Sequence, residues 1–175
     1  MNLDPILNLS PYSLKKEEKE KLHIDYLNKL TRHHFINCVK YSKMLNAIDF
    51  DKNINYDVHD IPFVPVRLFK MHDLYSVPKK SITKTMTSSG TSGQKVSKIF
   101  LDKQATLNQS KALTNIVSSF IGKKRTPMMI IDTNAVLKNR NMFSARGAGI
   151  LGFSIFGSKR LYALNENMEL NVDQV

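Results

Sequence analysis

The chain has 175 residues, a formal net charge of +11 and one cysteine. A single cysteine excludes an internal disulfide framework, and no apolar run approaches the ~18 residues that a membrane span needs. The N-terminus lacks the basic and apolar regions of a signal peptide, so we expect a cytoplasmic protein with a core of ordinary size.

The positive charge is concentrated in the middle of the chain. Residues 1–66 have a net charge of zero, residues 67–125 have +10 and residues 126–175 have +1. Such a field favours anionic ligands, which include a nucleotide with its metal ion and a nucleic-acid backbone. A solvated, lysine-rich surface explains the same counts without any ligand.

The N-terminal third is predicted to be helical. Apolar residues at spacings of three and four predict a helix over 13–46, with Ser13 as its N-cap. The polar stretch 46–60 is predicted to be a loop or a broken helix. Two prolines disfavour a regular helix over 61–70, so we expect this segment to run extended toward the core. Its predicted packing residues are Phe63, Val64, Val66, Leu68 and Phe69.

Two strands are predicted on either side of a loop that is rich in glycine and hydroxyl side chains. Alternation of apolar and polar residues predicts strands at 81–86 and 96–101. The loop between them, 87–95, reads Thr-Ser-Ser-Gly-Thr-Ser-Gly-Gln-Lys. Its glycines allow close backbone approach, and its amide and hydroxyl groups can surround a polyphosphate. It is not a Walker A motif, because the Gly-Lys-Ser/Thr ending is absent and because it joins two strands instead of opening a helix.

A helix is predicted after the second strand, at about 103–121. Asp102 stands at its N-cap position, and Gly122 stands just beyond its end. Apolar residues recur along one face of this segment, so we expect that face to pack on the rest of the domain.

The C-terminal part predicts two further strands. The apolar run 127–131 is typical of a buried parallel strand, and Asp132 and Thr133 follow it at the edge where ligands collect in open sheets. Residues 144–152 are predicted to be a glycine-rich connection, and 159–164 a strand. This order predicts an α/β fold with N-terminal helices, followed by part of a mixed β-sheet flanked by helices.

The other reactive side chains give no site. Cys38 lies in the first predicted helix with no base near it, so we expect a buried, structural residue. The five histidines show no ligand spacing, and no metal site built from protein side chains is predicted. Arg146 lies in the glycine-rich segment, where a structural role is favoured over ligand contact.

The loop at 87–95 resembles the first phosphate loop of the adenylate-forming ligases. Lys95 stands where that superfamily has proline, and Val96 where it has lysine, so either Lys95 or Lys98 is expected to supply the phosphate-binding lysine. The residues that match the motif directly are Ser89, Gly90, Thr91, Ser92 and Gly93. The full set of ligand-binding residues implied by the resemblance is Thr87, Ser88, Ser89, Gly90, Thr91, Ser92, Gly93, Lys95 and Lys98.

Three further stretches, 61–70, 97–102 and 144–153, resemble the acyl-protein synthetases of bacterial bioluminescence. This resemblance implies that ATP, with Mg²⁺, activates a fatty or other carboxylic acid as an acyl-adenylate. It further implies that the acyl group passes to a protein cysteine and on to a reductase or acyl-transferase partner, with nucleic acid not expected as a ligand.

Members of this family are usually longer, so we expect this chain to be an N-terminal half whose catalytic residues lie beyond Val175. Residues 1–60 are predicted to pack on a partial adenylate-forming domain over 61–175, as one structural unit. Two alternatives stay open from the residues alone. One is a non-catalytic, truncated remnant or subunit of such an enzyme, and the other is a basic module that binds nucleic acid or another polyanion.

Overall fold

The computed structural model describes residues 3–88, 95–137 and 143–172, and only the backbone of 143–145. Helices precede two small sheets, and one long helix connects the sheets along the chain. This is the α/β class that the sequence predicts. None of the helices in these described ranges is long and apolar enough to cross a membrane.

Three helices come before the first sheet: α1 (Asp4–Leu7), α2 (Lys16–Asn37) and α3 (Val39–Asn46). The prediction of one helix over 13–46 is wrong, because the backbone is extended at Cys38, with φ −122° and ψ 100°. The break lets α3 pack against α2, where Leu45 is buried at 1 % exposure.

The predicted N-cap at Ser13 is also wrong. Helix α2 begins three residues later, after Lys15, and the Lys15 amide donates a hydrogen bond to the Glu18 carboxylate at 3.1 Å. An acidic residue at the third helical position accepts a hydrogen bond from the amide just before the helix. Its negative charge also interacts favourably with the positive, N-terminal end of the helix dipole. The glutamates of the first turn therefore decide where α2 starts.

The loop predicted after α3 is confirmed, and a buried amide anchors it. Asn28 of α2, 5 % exposed, donates to the Tyr56 carbonyl at 2.8 Å and accepts from the Tyr56 amide at 2.9 Å. Because both polar ends of Asn28 are satisfied, its burial carries no desolvation penalty beyond that of an ordinary hydrogen-bonded group.

The segment predicted to be extended over 61–70 ends in a short helix, α4 (Arg67–Met71). Proline is tolerated at a helix start, and the Pro65 carbonyl accepts the Leu68 amide at 2.9 Å. The predicted packing is wrong for Phe63 and Val66, which are 86 % and 71 % exposed. The other three predicted packing residues, Val64, Leu68 and Phe69, are half-buried.

The first sheet has three strands, and two of them flank the predicted loop along the chain. Strands β1 (Ile82–Thr87) and β2 (Lys98–Asp102) are antiparallel, so the loop does join two strands. The two-residue strand β4 (Phe143–Ser144) lies parallel to β1, with Ser144 beside Thr87. This sheet is therefore mixed, as predicted.

Helix α5 (Lys103–Ile121) follows β2 with both predicted ends in place. The Ala105 amide donates to the Asp102 carboxylate at 2.7 Å, which is an N-cap hydrogen bond. Gly122 ends the helix with φ 79°, a conformation that a residue with a Cβ adopts only under strain.

The second sheet pairs β3 (Thr126–Ile130) with β5 (Gly157–Tyr162) in parallel. Both strands were predicted, but the burial predicted for the first is wrong at most positions. Ile130 is buried, whereas Met129 and Ile131 are 51 % and 83 % exposed. In the described part of the chain this sheet has two strands.

The glycine-rich connection predicted over 144–152 is wrong, because this segment forms helix α6 (Ala145–Phe153). Glycine inside a helix costs ~1 kcal/mol relative to alanine, which is why the sequence favours a loop here. Packing explains the exception. Gly147 is buried, and a Cβ placed on Gly152 would lie 3.0 Å from Leu113 Cδ2 of α5.

Candidate functional site

Strands β1 and β2 hold both ends of the candidate phosphate loop. The Ser88 amide donates to the Ser97 carbonyl at 3.1 Å, and the Ser97 amide donates to Ser88 Oγ at 3.0 Å. Since this hydroxyl accepts a hydrogen bond there, its own hydrogen stays available for a ligand oxygen. Thr87 and Lys98 face each other at the same end of the strand pair. The predicted residues that lie outside the described ranges are Ser89, Gly90, Thr91, Ser92 and Gly93.

A cavity of about 660 Å³ opens beside the end of this loop. Three cationic side chains line it: Arg67 and Lys70 from α4, and Lys95 from the loop. Arg67 and Lys70 are three residues apart, which places them on one side of their helix. Val66 and Met71 complete the lining that the structure describes, and this lining contains no acidic side chain. We call this set the cation cavity, and its charge suits an anionic ligand.

The two candidate lysines of the sequence have different surroundings. Lys95 lines the cation cavity. Lys98 Nζ instead lies 3.3 Å from Asp73 Oδ1, with both side chains about half exposed. An ammonium group that is paired with a carboxylate has less charge to offer a phosphate, so the geometry favours Lys95 as the ligand-binding lysine.

A second polar group lies where α6 begins, next to the end of β1. The Arg146 guanidinium donates to both oxygens of Asp132, from Nε at 2.5 Å and from Nη2 at 2.6 Å. The Thr133 amide also donates to Asp132 Oδ1, at 2.6 Å. The hydrogen bond from Arg146 lowers the pKa of Asp132, although the burial of the carboxylate opposes this shift. Asp132 is therefore ionised at neutral pH, and the pair fastens the start of α6 to the end of β3.

The remaining candidate residues are placed as follows. Cys38 is buried at 6 % exposure at the break between α2 and α3, as predicted. His34 lies 2.7 Å from Ser76, measured from Nδ1 to Oγ, and both residues line a cavity that also contacts Phe100 of β2. In the described ranges, no three side chains of His, Cys, Asp or Glu are close enough together to hold a metal ion.

Comparison with known proteins decides the family. The family model described as acyl-protein synthetase, LuxE, matches residues 2–174. The chain belongs to this family. A LuxE relative from Photorhabdus luminescens, named long-chain-fatty-acid–luciferin-component ligase, is 33 % identical over 92 residues, which are 53 % of this chain and 78 % of the relative. The resemblance to acyl-protein synthetases is thus confirmed, and the chain is by family an acyl-protein ligase.

Arg67 and Lys70 of this LuxE chain were not predicted as site residues, although they belong to one of the stretches that carry the family resemblance. Two signals in the sequence pointed to them. They lie at the start of segment 67–125, which carries nearly all of the net charge, and they are three residues apart. The prolines before them favoured an extended segment, in which the two side chains would have pointed to opposite faces.

Proposed function

We propose that this chain takes part in the ATP-dependent activation of a carboxylic acid, with a long-chain fatty acid as the substrate class. The observation that carries the proposal is the cation cavity, in which Arg67, Lys70 and Lys95 surround a space beside a Ser/Thr/Gly loop. The family and the substrate in the relative's name support the same reaction class. A phosphate loop between two strands of a small mixed sheet also fits the N-terminal domain of adenylate-forming ligases.

The proposed ligand of the cation cavity is the triphosphate of ATP. Loop amides and hydroxyls, with Ser88 among them, would donate to the β- and γ-phosphates, and the three cations would balance their charge. Mg²⁺ fits this arrangement, because it takes most of its ligands from phosphate oxygens and water and needs few protein carboxylates. When bound, it would neutralise part of the phosphate charge.

The residues of the cavity act on the leaving group in this proposal. A carboxylate oxygen attacks the α-phosphorus of ATP, and the bond between that phosphorus and the β-phosphate oxygen breaks. The products are an acyl-adenylate and pyrophosphate. Negative charge builds up on the departing pyrophosphate, where Arg67, Lys70 and Lys95 stabilise it without further rearrangement.

The second proposed step is acyl transfer to a protein cysteine. A thiolate attacks the carbonyl carbon of the acyl-adenylate, and AMP leaves. Cys38 is 6 % exposed and lies between two helices, so it is not the thiol that we propose as acceptor. A reductase or acyl-transferase is the class of protein that would then take the acyl group from the thioester.

Trapping with hydroxylamine tests the first step. Protein, ATP, Mg²⁺ and a long-chain fatty acid are incubated with hydroxylamine, and acyl hydroxamate and AMP are measured. We expect both products in equal amounts, both dependent on the acid, and less of each with Lys95→Ala than with Lys103→Ala, an exposed lysine of α5. ADP in place of AMP, or AMP formation that does not depend on the acid, would contradict the proposal.

A further inference from the structure

Two cavities lie next to each other along one side of α5. Their volumes are about 470 Å³ and 560 Å³, and both are lined by Leu7 of α1 and Ala112 of α5. Along α5 the lining runs from Gln104 to Ile116. At 1.5 Å per helical residue this is roughly 18 Å, a length that suits an extended, long-chain ligand. We call this space the α5 channel.

The wall of the α5 channel is mainly apolar, and α1 forms part of it. Its large side chains are Leu3, Leu7, Leu30, Val77 and Phe100. Helix α1 is tied to α5 at two points. Lys111 Nζ lies 2.9 Å from Asp4 Oδ1, and the side-chain nitrogen Nδ2 of Asn115 donates to the Leu7 carbonyl at 2.5 Å. Helices α1 and α5 thus both line this space, whose volume is in the range of small-ligand sites.

The two ends of the channel are polar. One end has His33, His34 and Ser76, with the hydrogen bond between His34 Nδ1 and Ser76 Oγ. The other end has Lys19 and His23. The Ser76 end is the one next to β2, since Phe100 and Asp102 line it. Tyr75 packs edge-on against Phe100 of β2 at 5.6 Å, and β2 starts at Lys98, beside the loop.

We propose that the α5 channel binds the hydrocarbon chain of the acyl substrate, with its carboxylate at the Ser76 end. The inference rests on the proposed function, for which it supplies the acyl-binding site. An apolar wall of this length favours a fatty acid over a short or polar acid, because each buried methylene adds affinity. Ser76 and His34 supply hydrogen-bond donors for a carboxylate without a fixed positive charge.

A single tryptophan can report on occupancy, because the chain has none of its own. Leu7→Trp places the reporter in the channel wall. Leu107→Trp places it on the same helix, α5, but at a position that is 55 % exposed and lines neither cavity. We expect a brominated long-chain fatty acid, without ATP, to quench Leu7→Trp with saturation and to leave Leu107→Trp nearly unchanged. Affinity should rise about fourfold per added methylene. Equal quenching of the two reporters would overturn the proposal.

Blocking the channel gives a second readout. Ala112→Phe fills the point that both cavities share, and Leu107→Phe is the matched exposed control on the same helix. We expect Ala112→Phe to weaken fatty-acid binding about tenfold while the circular dichroism spectrum and ATP affinity stay unchanged. If Ala112→Phe does not fold, the tryptophan reporters decide alone. Unchanged fatty-acid affinity in folded Ala112→Phe would contradict the channel.

The orientation of the fatty acid is tested at the two ends. Ser76→Ala should weaken binding of the acid about fivefold, and Lys19→Gln, at the other end, should weaken it less. The reverse pattern would place the carboxylate at the wrong end and overturn the inference as stated. Failure of the proposed function looks different. In that case the fatty acid would occupy the channel in the tryptophan assay, but neither ATP binding nor acid-dependent AMP formation would be seen.

Discussion

Removal of single cations from the cation cavity tests whether it binds a triphosphate. Lys70 is half-buried, whereas Arg67 and Lys95 are exposed. A hydrogen bond to a charged group contributes ~1.5–3 kcal/mol, and an exposed charge pair contributes ~0–1 kcal/mol because water screens it. We therefore expect Lys70→Ala to weaken binding of Mg–ATP about tenfold and Lys95→Ala about fivefold.

Matched lysines separate this effect from a general loss of charge. Lys98→Ala should weaken binding less than Lys95→Ala, because Lys98 is already paired with Asp73 at 3.3 Å. Lys103→Ala removes an exposed positive charge from α5 that does not line the cation cavity, so it should leave the affinity unchanged. The four alanine variants, at lysines 70, 95, 98 and 103, all carry the same net charge.

Isothermal titration calorimetry with Mg–ATP and, separately, with inorganic tripolyphosphate measures these affinities. We expect the order of effects to be the same for both ligands, since the proposed contacts are with phosphate. Added salt should weaken binding to the wild-type protein more than to Lys70→Ala, because salt screens each remaining charge. A larger loss with Lys98→Ala than with Lys95→Ala, or no loss with Lys70→Ala, would refute the assignment of the cation cavity.

Three other changes have expected outcomes. Gly90→Val, in the loop, should abolish ATP binding measured by calorimetry and leave the thermal unfolding midpoint nearly unchanged; wild-type affinity would contradict the phosphate-loop assignment. Leu45→Ala should lower the free energy of unfolding in urea by ~2–5 kcal/mol, because this side chain is 1 % exposed, while the exposed control Leu107→Ala should change it by less than ~0.5 kcal/mol. Because the pKa of Asp132 is lowered, its ion pair with Arg146 stabilises the fold above the ordinary value of 3.8 and ceases to do so as the pH falls through the folded-state pKa. Asp132→Asn should therefore reduce the loss of stability that is measured as the pH falls from 3.8 to the folded-state pKa. A stability–pH curve identical to that of the wild type in this range would contradict the ion pair.

The elements that local sequence determines were predicted well. Asp102 and Gly122 mark the ends of α5 because a capping side chain and a positive φ are local requirements. The strands beside the loop were predicted because their alternation of apolar and polar residues is also local. These features need no knowledge of what the rest of the chain does.

The errors occur where packing overrides local preference. The break at Cys38 depends on how α3 meets α2, and the periodicity of apolar residues continues through it. Gly152 lies in a helix where Leu113 of a neighbouring helix approaches closely, which no local rule shows. The burial predicted for Phe63 and Ile131 failed because an apolar side chain indicates a core only when another element covers it.

Some residues of the candidate site could be predicted from the sequence, and others could not. The loop residues, with Lys95 and Lys98 as alternative lysines, followed from composition and from the family resemblance, and the match to the LuxE family confirms that resemblance at the level of family. Arg67 and Lys70 were not predicted to line this cavity, because they reach it only through the short helix α4. The α5 channel could not be predicted, because residues from α1, α2, α5 and β2 form it together.

Isotope exchange between pyrophosphate and ATP tests the central claim most directly. Radiolabelled pyrophosphate is incubated with the protein, ATP, Mg²⁺ and a long-chain fatty acid, and label in ATP is counted. Acyl-adenylate formation is reversible, so we expect exchange that requires the acid, increases with its chain length and falls in both Lys70→Ala and Ala112→Phe. Exchange that is absent, or that proceeds equally well without any acid, would contradict the account of this chain as part of a carboxylate-activating ligase.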